Sequence, residues 1–179
     1  MNIFYLNKNP RVIVKQMTDK HIVKMILETA QILCTAHRVL DGVEVLACST
    51  KSMRKTWIFP KDLEKEKSLY KSTHVNHPST KWARESRENY KWLYSLFCHL
   101  CSEYQKRYGR VHLCERKLIK ILFESPNQIP EGEFTEPPQA MPEEYQVEKD
   151  SILAYNQYYI NEKLKSVEDR KRYHMYRSV

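Results

Sequence analysis

Asp19-Lys20-His21-Ile22-Val23-Lys24-Met25-Ile26-Leu27-Glu28-Thr29-Ala30-Gln31 is the stretch that decides how this chain is read. Ile22, Val23, Ile26, Ala30, Leu33 and Leu40 recur at helical spacing and form an apolar stripe. His21, Lys24, Glu28, Gln31, Thr35 and Arg38 recur at three- and four-residue steps and form a second line. Lys24 and Glu28 have the spacing of an ordinary surface ion pair. An acid, two bases, an amide and a hydroxyl in one row are also the reagents of an active site, with Glu28 at the centre. A carboxylate beside His and Lys serves as a general base or stabilises a developing cation. Cleavage of a glycosidic bond needs that help, because the departing base leaves a positive sugar behind.

Outward from this helix, the chain reads as mostly helical. Thr18 or Asp19 caps the first helix and Asp41-Gly42 ends it, over residues 18–40. Residues 2–6 suggest a short strand or extended arm, residues 43–47 a strand, and residues 61–71 a solvated helix. Pro78 opens a long helix with Trp82, Ser86, Tyr90, Leu93, Phe97, Leu100 and Tyr104 on its buried side and Gly109 beyond its end. Further helices are expected over 113–123 and 147–167. Between them, residues 124–142 carry Pro126, Pro130, Pro137, Pro138 and Pro142 and form a loop. The expectation is an all-α, compact single domain over residues 1–179, with about four to six helices and at most a minor short β element. Its end, residues 168–179, reads as a basic, aromatic tail.

Composition narrows the function. The 179 residues include 30 basic and 22 acidic side chains, for a net charge of +8. That balance favours a polyanionic partner, with double-stranded DNA first. No run approaches the roughly 18 apolar residues of a membrane span, and the first residues lack a signal-peptide cleavage pattern. Five irregularly spaced cysteines suggest free thiols in a reducing, cytoplasmic setting. Cys98-His99-Leu100-Cys101 falls inside a helical pattern, so its thiols read as core and not as metal ligands. Neither a metal nor a cofactor is expected. Gly-rich phosphate loops, a nucleophile elbow and a dinucleotide fingerprint are all missing.

Three more segments hold candidates. In Thr73-His74-Val75-Asn76-His77-Pro78-Ser79 two histidines precede a helix N-terminus, where anions collect. His77 is a catalytic candidate, His74 and Ser79 are phosphate candidates, and Arg84 and Asn89 on the following helix are candidates for DNA contact. Gln139 and Met141 lie in the Pro-rich loop, which reads as a wedge, a base-pocket wall or a rigid connector. Lys163, Arg170 and Arg172 are phosphate candidates beside a series of tyrosines.

The chain resembles a known family. Asp19-Lys20-His21, with Glu28 seven residues after the His, is similar to the first helix of the pyrimidine dimer DNA glycosylases, the phage endonuclease V family. Asn161-Glu162-Lys163-Leu164 and the Tyr-rich end resemble that family's C-terminus. Asn76-His77-Pro78-Ser79, Trp82-Ala83-Arg84-Glu85-Ser86 and Pro138-Gln139-Ala140-Met141-Pro142 resemble a wider set of phage relatives. The resemblance implies a compact all-α domain that kinks duplex DNA, flips a nucleotide and removes a damaged pyrimidine, with Glu28 catalytic. It implies a site of action in the bacterial cytoplasm during infection.

In the family the α-amino group of a Thr, exposed by loss of Met, forms a Schiff base and cleaves the strand. This chain departs there, because residue 2 is Asn2, too large for routine removal of the Met before it, which leaves the Met1 amine as the alternative route to a Schiff base. That departure admits a second expectation, an amino acid:DNA transferase acting on an activated hydroxymethyl pyrimidine. Glu28 or His77 would deprotonate the free amine, and Lys24 and Arg84 would hold the leaving phosphates. A third is a non-catalytic DNA-binding accessory protein.

Overall fold

The computed structural model describes residues 2–49 and 52–176. Among them are eight α-helices and one two-stranded sheet. The chain enters as an extended arm, with Ile3, Phe4, Tyr5 and Leu6 all buried. It pairs with no strand among the described residues. Helix α1 (Pro10–Gln16) follows. Three adjacent β-branched residues, Val12, Ile13 and Val14, disguise it in the sequence. Asn9 accepts from the Arg11 N–H and Pro10 supplies the first-turn φ, which is enough to start it.

Helix α2 (Asp19–Asp41) is the axis of the molecule. The Thr18 side chain accepts from the His21 N–H at its start. Gly42 follows its last residue with extended backbone, and the position takes glycine because a Cβ there would run into the Arg38 carbonyl oxygen. Ile22, Ile26, Ala30 and Leu33 are fully buried and pack chiefly on α5. Each large aliphatic among them contributes roughly 1.5–3 kcal/mol. Two residues correct the helical wheel. Val23 is 41% exposed, whereas Arg38 is 0% exposed.

The arm β1 (Val43–Ser49) and β2 (Ser52–Ile58) is an antiparallel hairpin, pairing Val43 with Ile58 and Glu44 with Trp57. The second strand was not expected. Helix α3 (Leu63–Ser68) leads into an extended segment that returns along α2. The single long helix expected after Pro78 is two helices, α4 (Pro78–Trp82) and α5 (Arg87–Tyr108). Ser86 is the reason. It sits between them as the cap of α5, its Oγ accepting from the Asn89 N–H at 3.1 Å and donating to the Glu133 carbonyl at 3.0 Å. Gly109 closes α5 at φ +63°, a left-handed C-cap that suits glycine.

Helix α6 (Leu113–Leu118) gives way to turns through 123. The Pro-rich segment then crosses the surface to a short 3₁₀ turn, Glu143–Tyr145. Helix α7 (Ser151–Glu162) ends five residues before the sequence pattern suggested. The end of the chain folds back as α8 (Val167–Met175), with Tyr173 fully buried against the core. It is therefore a docked helix and not a free basic arm; its last three residues lie outside those described. No helix is long and apolar enough to cross a membrane among the described residues.

Candidate functional site

The polar line of α2 faces three separate pieces of chain. At its start His21 meets the N-terminal arm and α7. Its Nδ1 lies 2.6 Å from the Tyr159 hydroxyl, and its ring packs on Phe4 at 5.0 Å between centroids. Burial lowers the His21 pKa to about 4, and the Lys163 and Lys24 ammonium groups act in the same direction. At neutral pH the ring is therefore uncharged.

Two turns further along, Glu28 is largely covered, with its side chain 15% exposed. Lys24 Nζ approaches Oε1 at 3.3 Å, and the main-chain N–H of Asn2 donates to Oε2 at 3.0 Å. Asn2 is itself tied down. Its Nδ2 donates to the Ala140 carbonyl at 3.0 Å, and its Oδ1 accepts from the N–H groups of Ile3 and Phe4. This local bonding carries the chain into Phe4 at φ +52°, an uncommon conformation for a non-glycine residue. His74 in the facing loop is at φ +48°. Backbone held this way gathers where the surrounding fold over-determines a functional geometry.

The loop reaches α2 through Thr35, whose Oγ1 accepts from the Thr73 N–H at 3.2 Å. His77 caps α4, its Nδ1 accepting from the Ser79 N–H at 3.2 Å. Burial lowers the His77 pKa, and the nearby His74 adds to the shift. His74 itself is exposed, with Nδ1 2.8 Å from the Thr73 hydroxyl. Gln31 is half-buried one turn beyond Glu28, on the same line.

Several sequence candidates turn out to hold the fold. Asn89 is fully buried. Its Nδ2 donates to the Trp82 carbonyl and to Thr135 Oγ1, and its Oδ1 accepts from the Thr135 N–H. It cannot reach DNA in this structure. The Ser79 side chain is fully buried as well, so a phosphate cannot reach its hydroxyl. The Arg84 guanidinium donates to the carbonyls of Thr80 and Val75 and binds the histidine loop to α4. Gln139 forms a two-point pair with the Val147 main chain, at 2.6 and 2.8 Å. Met141 packs against the core. The Pro-rich loop is thus a packed connector whose Ala140 carbonyl holds Asn2, and the wedge reading does not fit it.

A cleft of about 560 Å³ opens where the start of α2 meets the α7–α8 junction. His21, Lys163, Lys165, Ser166, Asp169 and Arg172 are among its walls. The Lys163 ammonium lies over the Tyr158 ring at 4.6 Å. Arg172 pairs with Asp19 at 2.7 Å, and Arg170 Nε reaches the Leu164 carbonyl at 3.3 Å. Among the described residues no three His, Cys, Asp or Glu side chains come together as metal ligands.

The sequence does not show the contacts of Asn2 with Glu28, of Thr73 with Thr35 and of Tyr159 with His21. Each spans a long separation, and Tyr159 reads by spacing as a core residue. The arrangement offers a covered carboxylate, one ammonium and two uncharged imidazoles on one edge of a basic protein.

No curated protein and no solved structure matches the chain. A family model, pyrimidine dimer DNA glycosylase, matches residues 1–116. That span takes in the arm, all of α2 and the histidine loop. Tyr159, Lys163 and Ala140 come from beyond it. DNA is the partner such a family implies, and glycosylase-like enzyme chemistry is its activity. With the match covering most of its length, including every α2 residue of the site, the chain belongs to the pyrimidine dimer DNA glycosylase family.

Proposed function

We propose that this protein excises a pyrimidine base from duplex DNA, with Glu28 as the catalytic carboxylate. The observation that carries the reading is the placement of Glu28, mostly buried between Lys24 Nζ and the Asn2 N–H. The duplex is kinked and one nucleotide extruded, at a cost of a few kcal/mol, into the cleft walled by His21. His21 and Glu28 are seven residues apart, about 10 Å along the helix axis. A nucleotide spans that distance. The base leaves with the electron pair of its C1′–N bond, and the carboxylate faces the cationic sugar that forms. Water then adds to C1′, and Glu28 accepts its proton.

The nitrogen against Glu28 is a peptide amide, because Met1 precedes Asn2. Its lone pair is delocalised, so it forms no Schiff base. A Schiff base would have to form through the α-amino group of Met1; without it the product is an abasic site in an uncut strand. The amide also favours a second reading, in which Glu28 deprotonates an amine that replaces pyrophosphate on an activated hydroxymethyl pyrimidine.

Intact-mass spectrometry of duplex oligonucleotides separates these readings. The panel is UV-irradiated DNA and DNA with pyrophosphorylated hydroxymethyl-uracil, each with a mixture of amino acids. Gain of one water by the dimer-containing strand, with a free base released only when the cyclobutane ring is photoreversed, supports excision, and a strand that then breaks only in alkali shows that no Schiff base formed. Gain of an amino acid with loss of pyrophosphate supports transfer. An unchanged panel overturns excision and leaves a DNA-binding accessory role. A second expectation concerns salt. With about six phosphate contacts, affinity for a duplex falls on the order of 10³-fold between roughly 50 and 200 mM salt. A flat titration removes the phosphate contacts from the account.

A further inference from the structure

We propose that Tyr159 is a positioning residue that holds His21 in the tautomer with its proton on Nε2, presenting a fixed N–H donor to a DNA phosphate oxygen beside Glu28. The DNA side of this inference rests on the base-excision reading; the tautomer does not.

Proton counting at one hydroxyl carries the argument. Tyr159 is fully buried, so its O–H must find an acceptor inside the protein. The Thr18 N–H donates to Tyr159 Oη at 3.0 Å and occupies one lone pair. The hydroxyl has a single proton to give, and His21 Nδ1 lies 2.6 Å away. The neighbouring Tyr173 stacks on the Tyr159 ring at 6.1 Å and turns its own hydroxyl to Asn156. The Thr18 hydroxyl also touches Tyr159 Oη and acts there as a donor, its own oxygen taking the main-chain N–H of His21, so the Tyr159 proton goes to Nδ1. A neutral imidazole accepting at Nδ1 carries its hydrogen on Nε2. Phe4 lies 5.0 Å from the His21 ring and 5.1 Å from Tyr159, edge-on to the latter, and resists a flip of the imidazole.

His77 arrives at the same state by another route. Its Nδ1 accepts the Ser79 N–H, which again leaves the hydrogen on Nε2. Two imidazoles on the same polar edge as Glu28 are thus donors, and neither offers Nδ1 as a base. The chemistry favours uncharged donors here. An imidazolium near a sugar that is becoming cationic would repel it, whereas a neutral N–H grips a phosphate oxygen without adding positive charge.

Long-range ¹⁵N NMR of the imidazole rings in the full chain tests the tautomer directly. The expected spectrum shows His21 as one species protonated at Nε2, and Tyr159→Phe converts it to a mixture. Binding to a duplex containing a thymine dimer supplies the second arm. Tyr159→Phe should weaken it by the reciprocal of the fraction still protonated at Nε2 in the spectrum, about twofold for an even mixture. In a His21→Gln background the side-chain amide keeps a donor without a tautomer, and adding Tyr159→Phe should leave affinity unchanged. A wild-type His21 protonated at Nδ1 overturns the proposal. So does an equal loss in both backgrounds, which would make Tyr159 a packing residue. Failure of base excision would appear instead as an absent product, with the tautomer unchanged.

Discussion

Glu28→Gln will lower turnover by roughly 10³-fold while leaving affinity for the duplex near that of the unmodified protein. Gln has nearly the shape of Glu and still accepts the Asn2 N–H through its carbonyl oxygen. It lacks the negative charge that stabilises a cationic sugar and the basicity to take a proton from water. The lost Lys24–Glu28 contact matters little to the fold, since Lys24 is two-thirds exposed and such i,i+4 pairs contribute about 0.3–0.5 kcal/mol. Binding can tighten slightly, because a carboxylate close to a phosphodiester repels it. Single-turnover excision on the dimer-containing duplex, together with a binding titration, measures both quantities. Full activity in the variant would remove Glu28 from the mechanism. Equal loss of binding and turnover would assign it to the fold.

Arg38→Met will destabilise the protein by about 3–5 kcal/mol, because the carbonyls of Tyr70, Trp57 and Leu69 lose a donor, at roughly 1–3 kcal/mol for each that stays buried and unpaired. Every donor of this guanidinium is in use. Nε reaches the Tyr70 carbonyl, Nη1 reaches the Trp57 carbonyl and Glu66 Oε2, and Nη2 reaches the carbonyls of Glu66 and Leu69. One side chain thereby ties α2 to the hairpin, to α3 and to the segment that continues to Thr73. Its loss should unfold the protein at lower urea and loosen the histidine loop, which shares that segment.

Glu66 gives the same hub a pH signature. Burial raises its pKa, but the Lys71 ammonium, the Arg38 guanidinium and the Phe59 N–H outweigh that and bring it to about 2 from 4.5. A carboxyl whose pKa is depressed by folding stabilises the fold above its unfolded value. That contribution is complete above pH 4.5 and drains away as pH falls toward 2. Urea midpoints across this window should drop in the native protein and drop less in Arg38→Met, where one of the three partners is gone.

Much of the scaffold is legible from local chemistry. The two long helices show a 3.6-residue apolar stripe, a capping hydroxyl and a glycine stop, and each signal lies within a few residues of the feature it sets. Glu28, Lys24 and His21 share an edge for the same reason, since a helix alone places them there. Where the pattern misled, a local signal competed with a distant one. Ser86 sat in phase with the apolar stripe of α5, but its hydroxyl finds the Glu133 carbonyl and the Asn89 N–H, so the helix restarts there. Arg38 sat in phase with the polar edge of α2, but chain that follows 19 to 32 residues later covers that end of the helix.

The sequence by itself therefore determined the helices and the row of reagents along α2. Only the tertiary structure decided what each reagent is. Asn2 reaches Glu28 across 26 residues and Tyr159 reaches His21 across 138. Asn89 and Ser79 become framework, while the loop of His74 and His77 is laid beside the carboxylate. The physical reason is that helical periodicity records which side chains share a face, and hydrogen-bond partners brought in from elsewhere set their charge, proton position and access to DNA.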